Sequence, residues 1–151
     1  MDITSHIEVL KNQRSALLLQ LNGLSNETLG FIPDGSNNNI LWNLGHILVI
    51  PQFHLYSARQ LDPHIQQHFI QNYMSGTKPG SINIDLEFKE IKELLLPILD
   101  LLKSDFDKGM FKDFKAFGNL DFTSTLELLI KHESGHIAKI NQIRTSINTT
   151  V

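Results

Sequence analysis

Two histidines four residues apart, His132 and His136, lie in the stretch Lys131-His132-Glu133-Ser134-Gly135-His136-Ile137. On an α-helix this spacing puts both imidazoles on one face, one turn apart, within reach of a single metal ion. Two neutral imidazoles make an incomplete site, because a borderline-soft divalent ion takes three or four ligands. The five residues HESGH also satisfy the His-Glu-x-x-His pattern of zinc peptidases, in which the glutamate is the general base. Such enzymes commonly take a third ligand from downstream, with Gly at 139 and His at 142 in the extended form, where this chain has Lys139 and Gln142. Beyond His136 there is no Asp, Glu or His. A peptidase of the ordinary kind is therefore not expected, and a third ligand has to come from upstream.

His46 is the upstream candidate. Its neighbours one turn away, Trp42, Val49 and Ile50, are core residue types, and a buried histidine needs a polar partner. That partner can be a metal ion, or a carbonyl or side chain in an ordinary core. A glycine precedes the histidine in both places, Gly45-His46 and Gly135-His136, each at about 1 kcal/mol relative to alanine in a helix interior. Close backbone approach or space for a ligand would explain both. His54, two turns beyond His46, either lines the same cavity or faces solvent. Glu133, about 100° around the helix from His132, is an ion-pair partner, a hydrogen-bond support for a ligand or an acid/base. His6, His64 and His68 have no constellation around them and read as ordinary residues. Gln52, Tyr56 and Lys139 read as surface polar groups near the helix seam.

The elements that must position these groups are helical. Ile3, Ile7, Leu10, Leu17, Leu18 and Leu21 recur at threes and fours, with Lys11, Gln13 and Arg14 between them, which predicts a first helix from Asp2 to about Asn22, closed by Gly23. A connection follows to Asn39, with a short helical turn after Ser25 and an asparagine run that supplies an N-cap. Ile40 to Gln60 is apolar on nearly all sides and predicts a second helix, buried or shared with a partner subunit, with a kink or bulge at Pro51. His64 to Ser81 reads as an irregular crossover with one short helix. A third helix is predicted from Asp85 to Lys103, kinked at Pro97, with Leu86, Ile91, Leu94, Leu95, Ile98, Leu99 and Leu102 inward and Glu87, Lys89, Glu90, Lys92 and Glu93 outward. Residues 104 to 121 carry Phe106, Phe111, Phe114 and Phe117 and should pack over one end of a bundle. The last helix is expected to start at a Ser124/Glu127 capping box and to run to about Ile147.

Four long helical patterns without a period-two strand predict an all-α four-helix bundle with long crossover connections and a packed Phe-rich loop. At 151 residues this is a single domain spanning 1–151. The sequence has no cysteine, so thiolate metal sites, disulfides and a cysteine nucleophile are excluded and any metal is held by nitrogen and oxygen. No leader pattern and no apolar run of about 20 residues is present, which points to a cytoplasmic protein with no membrane partner. A formal charge of -3 without a Lys/Arg block argues against nucleic acid as a partner.

The run Asn37-Asn38-Asn39-Ile40-Leu41-Trp42-Asn43-Leu44-Gly45-His46, combined with His132-Glu133-Ser134-Gly135-His136 on the last helix, resembles the DinB/YfiT-like family of metal-dependent proteins. The resemblance extends over nearly the whole chain, with Trp42 four residues before the histidine and the terminal His-x-x-x-His helix in the same order. It implies a four-helix bundle, often a homodimer, that binds one divalent metal ion, zinc or nickel, through a His triad matching His46, His132 and His136. Some relatives conjugate a low-molecular-weight thiol such as bacillithiol or mycothiol to small-molecule electrophiles, and a maleylpyruvate isomerase branch also uses a thiol. The implied activity is thus a metal-dependent S-transferase, with hydrolysis by metal-bound hydroxide as the sibling reading and a non-catalytic metal-binding or structural bundle as the alternative. Many relatives carry Gln three residues after the second histidine of the pair, where this chain has Lys139. The substrate and thiol sites of those relatives are therefore not carried over.

Overall fold

Helix α1, Thr4–Leu21, buries Ile7, Leu10, Arg14, Leu17 and Leu21, a heptad-like stripe with one charged residue in its middle. The computed structural model describes residues 2–149. A one-turn helix α2, Asn26–Gly30, follows, its first turn capped by Ser25 through the Thr28 amide. Helix α3, Ile40–Leu55, starts where the Asn39 side chain accepts a hydrogen bond from the Trp42 amide, as the asparagine run predicts. Every residue from Ile40 to Ile50 is buried, so α3 is the central rod of its own chain. The α-helix ends at Leu55, short of the Gln60 expected from the sequence, and a single 3-10 turn, Ser57–Arg59, follows. Gln60 then takes the left-handed conformation at φ 62°, which stops the helix.

The short crossover helix α4, Gln67–Tyr73, packs on α3. The third long pattern is two helices, α5 Ile84–Leu95 and α6 Pro97–Asp107. Pro97 does not kink a continuous helix but opens a new one, where its missing amide is harmless. The inward face differs accordingly: Phe88, Ile91 and Leu95 are buried, Leu86 is half exposed, and Glu87, expected outward, is buried. The last helix, α7 Phe122–Thr149, begins two residues before Ser124. Asp121 caps it instead of the Ser124/Glu127 box, accepting from the Ser124 amide at 2.8 Å. Ahead of it, Phe111 and Phe114 pack on Phe122 and close one end of the bundle, whereas Phe117 is half exposed. Among the described residues no strand forms, and a lone bridge joins Ala116 to Leu120.

The bundle is assembled with α3 against α7 and α5, and α1 against α6 and α7. At its centre is Arg14, which the sequence placed on the polar side of α1 and which is 1% exposed. Its Nε and Nη2 donate to Glu133 Oε1 on α7 at 3.1 and 2.8 Å. Nη1 donates to the Leu95 carbonyl at 2.7 Å and Nη2 reaches the Ile47 carbonyl at 3.5 Å. Both carbonyls need an outside donor. Pro51 has no amide to offer Ile47 four residues earlier, and at the α5–α6 break the Leu99 amide bonds Leu96 rather than Leu95. One guanidinium therefore satisfies the carbonyl left by Pro51 and the carbonyl left by the α5–α6 break, and ties α1, α3, α5 and α7 together.

Replacing Arg14 with Met strands Glu133 and two carbonyls in the core. The expected loss is about 3–5 kcal/mol of unfolding free energy in urea, the usual consequence of breaking a buried pair, with partial recovery in Arg14→Met/Glu133→Leu. A loss below about 1 kcal/mol, the level of a surface pair, would show that Arg14 is not the core fastener.

Candidate metal centre

His46 on α3 and His132 and His136 on α7 come together, with one candidate ligand atom from each lying within 4.8 Å of the other two. The rings are 4.4 to 5.1 Å apart between centroids. His46 is buried and the α7 pair half-buried. His46 Nδ1 donates to the Tyr73 carbonyl at 2.7 Å, and His136 Nδ1 donates to Asn43 Oδ1 at 2.8 Å. The Asn43 amide is oriented by its own bonds, since its Nδ2 donates to Asn38 Oδ1 and to the Asn39 carbonyl. Holding a proton on Nδ1 fixes the tautomer and leaves the Nε2 lone pair for a ligand role, the usual arrangement around metal-bound histidine.

The spacing suits one small ion. His46 Nε2 and His132 Nε2 are 3.3 Å apart; two nitrogens bound at 2.0–2.1 Å to one tetrahedral ion stand about 3.3 Å from each other. Trp42 stacks on the His46 ring at 4.7 Å with planes 15° apart, and its Nε1 donates to Thr77 Oγ1 at 3.0 Å, so the ring face of His46 is fixed as well. Burial pushes the His46, His132 and His136 pKa values down, and for His136 the neighbouring His46 and His132 take it further, to about 4. At neutral pH the lone pairs are free of protons.

Glu133 is not part of this centre. It is 1% exposed, its Oε1 is held by Arg14 while Oε2 is buried without a hydrogen-bond partner, and it lies outside the ligand group, so it serves the core ion pair. His54 lies on the triad's side of α3, half-buried against Phe53 and Phe117, with its pKa lowered by burial and then by His132 and Arg59. It is outside the ligand group. Gln52 and Tyr56 are buried rather than superficial: Gln52 Oε1 accepts the His64 amide, and the Tyr56 hydroxyl donates to Asp105, which also accepts from His64 Nε2. Burial and the Asp105 partner push the Tyr56 pKa up. This second polar network fastens the crossover at the far end of α3. Lys139 borders a shallow cavity with Pro33, Asp34 and Gln142.

Sequence reasoning missed Asn43 and the Tyr73 carbonyl. Asn43 carries a signal: it is the one amide within the apolar run from Ile40 to Ile50, three residues before His46. The Tyr73 carbonyl has none, because any residue type offers one.

The DinB superfamily model matches residues 10–140, and the chain belongs to that superfamily. No curated protein and no solved structure matches the chain. No helix among the described residues is long and apolar enough to cross a membrane.

The two glycines beside the histidines serve different ends. A Cβ on Gly45 would collide with the Tyr73 ring, whereas one on Gly135 meets nothing within 4 Å. Gly45→Ala is thus expected to destabilise the fold by about 1–3 kcal/mol through overpacking, and Gly135→Ala to stabilise it by about 1 kcal/mol through helix propensity. Thermal denaturation of the pair checks this, and equal shifts would contradict it.

Proposed function

We propose that the protein is a metal-dependent enzyme in which His46, His132 and His136 hold one divalent ion, zinc or nickel, through their Nε2 atoms. The observation that carries the proposal is the pair of Nδ1 hydrogen bonds, to the Tyr73 carbonyl and to Asn43, that aims two of the three Nε2 lone pairs at a common point. A bound ion supplies Lewis acidity, lowering the pKa of a thiol or water held beside it. The chain's own residues supply the rest. The Tyr73 carbonyl and Asn43 orient the imidazoles, and Trp42 backs His46.

We favour transfer of a low-molecular-weight thiol such as bacillithiol to a small electrophile. In that reaction the sulfur attacks carbon, the S–C bond forms, the bond to the leaving group breaks, and the thiol proton goes to solvent. It asks for no carboxylate base, and Glu133, the carboxylate nearest in sequence, is engaged by Arg14. Hydrolysis of a small substrate is the sibling reading. A purely structural ion is the other, favoured by the fact that the three histidines join α3 to α7. A homodimer, as the resemblance implies, belongs to the proposal.

Metal analysis after dialysis against zinc is expected to lose about one ion per chain in each of His46→Ala, His132→Ala and His136→Ala. Because burial lowers the pKa of all three imidazoles, that of His136 to about 4, affinity should hold at neutral pH and fall as pH drops towards the His136 value, where protons compete. Unchanged metal content in all three variants would sink the triad. A retained ion without turnover of bacillithiol and an electrophile would move the assignment to hydrolysis or to a structural ion.

A further inference from the structure

Away from the triad, His68 on α4 and Glu87 and Glu90 on α5 bring a ring nitrogen and two carboxylate oxygens within 4.8 Å of one another. Glu87 and Glu90 are one turn apart on the same face of α5, where like charges repel. Glu87 is 8% exposed, and a carboxylate at that depth requires compensation. Its one short hydrogen bond is from the neutral Tyr73 hydroxyl at 3.0 Å. His68 Nε2 stands 3.8 Å from Glu87 Oε1, beyond hydrogen-bond range. The two lysines nearest on α5 are turned elsewhere: Lys89 pairs with Glu93 at 3.0 Å and Lys92 lies over the Phe88 ring at 4.3 Å. The protein thus keeps one buried and one half-buried carboxylate beside an imidazole, and among the described residues no lysine or arginine pairs with Glu87.

We propose that His68, Glu87 and Glu90 form a second divalent-cation site, one nitrogen and two carboxylates, separate from the three-histidine centre. The donor set is harder than the triad and suits manganese, iron(II) or zinc. Bonds of about 2.0–2.2 Å to a shared ion require the donors to close by a few tenths of an ångström to about 1 Å, which rotation of the half-buried His68 and Glu90 side chains provides. The site has a consequence for the first one. Tyr73 presents its hydroxyl to Glu87 and its carbonyl to His46 Nδ1, so an ion that fastens α4 to α5 also steadies the carbonyl that orients His46. Occupancy of the second site therefore tightens ion binding at the triad, and the coupling is reciprocal.

Manganese titration followed by the EPR signal of the free ion tests this in a His132→Ala/His136→Ala background, which removes the triad and spares α4 and α5. About one manganese per chain is expected, and none once His68→Ala and Glu90→Gln are added. In the otherwise unaltered protein, which does not depend on the triad variant folding, His68→Ala/Glu90→Gln should lower the total from about two ions to one and weaken zinc binding at the triad several-fold. No manganese on the folded triad variant, or a count indifferent to His68 and Glu90 in the unaltered protein, overturns the proposal. Neither result bears on whether the triad itself binds metal.

Discussion

The buried contact between Arg14 and Glu133 is the constraint from which the rest of the arrangement follows. A guanidinium offers five donors in a fixed plane, and here they go to a carboxylate on α7, a carbonyl on α3 and a carbonyl at the end of α5. The buried pair brings little net stability in itself, since desolvation offsets much of the attraction. What it does is fix register. The groups Arg14 holds, the Ile47 carbonyl and Glu133, are each one residue beyond a histidine of the triad, His46 and His132. Sliding α3 against α7 would strand charge in the core, so the height at which the two helices face each other, and hence the gap between their imidazoles, is set from the opposite side of the bundle.

The prolines make sense in the same terms. Pro51 removes a backbone donor from α3 and leaves the Ile47 carbonyl for Arg14, whereas Pro97 opens α6 at the break where Arg14 also takes up the Leu95 carbonyl. Around the imidazoles a second layer of fixed groups, Tyr73, Asn43 and Trp42, supplies orientation. The layer reaches outward through Asn38 and Asn39 to the connection before α3, and through the Tyr73 hydroxyl to Glu87 on α5. Gly45 lets Tyr73 come close enough to α3 for its carbonyl to serve His46.

How much of this could be read from the residues depended on whether the controlling interaction was local. The four-residue spacing of His132 and His136 and the turn from Trp42 to His46 are helix periodicities, and they pointed to the triad directly. The Asn39 cap at the start of α3 was equally local and equally legible. The centre of α1 was harder: the stripe Ile7, Leu10, Arg14, Leu17, Leu21 is regular only if a charged residue is admitted to the core, and its partner lies 119 residues away. On α5, Phe88 joins Ile91 and Leu95 facing the core in place of Leu86, and the buried Glu87 accepts from the Tyr73 hydroxyl contributed by α4. At α7, Asp121 accepts from the Ser124 amide and starts the helix one turn before a Ser124 cap would, at the point where the phenylalanine cluster packs on Phe122.

The account rests on three imidazoles presenting Nε2 to one ion while Nδ1 stays protonated. Long-range nitrogen–proton NMR correlation of the histidine rings, recorded before and after one equivalent of zinc, reads this atom by atom. The account predicts that the Nε2 resonances of His46, His132 and His136 move together to metal-bound positions while Nδ1 of His46 and His136 keeps its proton. Zinc-induced shifts confined to other histidines, or coordination through Nδ1 of His46 with loss of the Tyr73 bond, would contradict it.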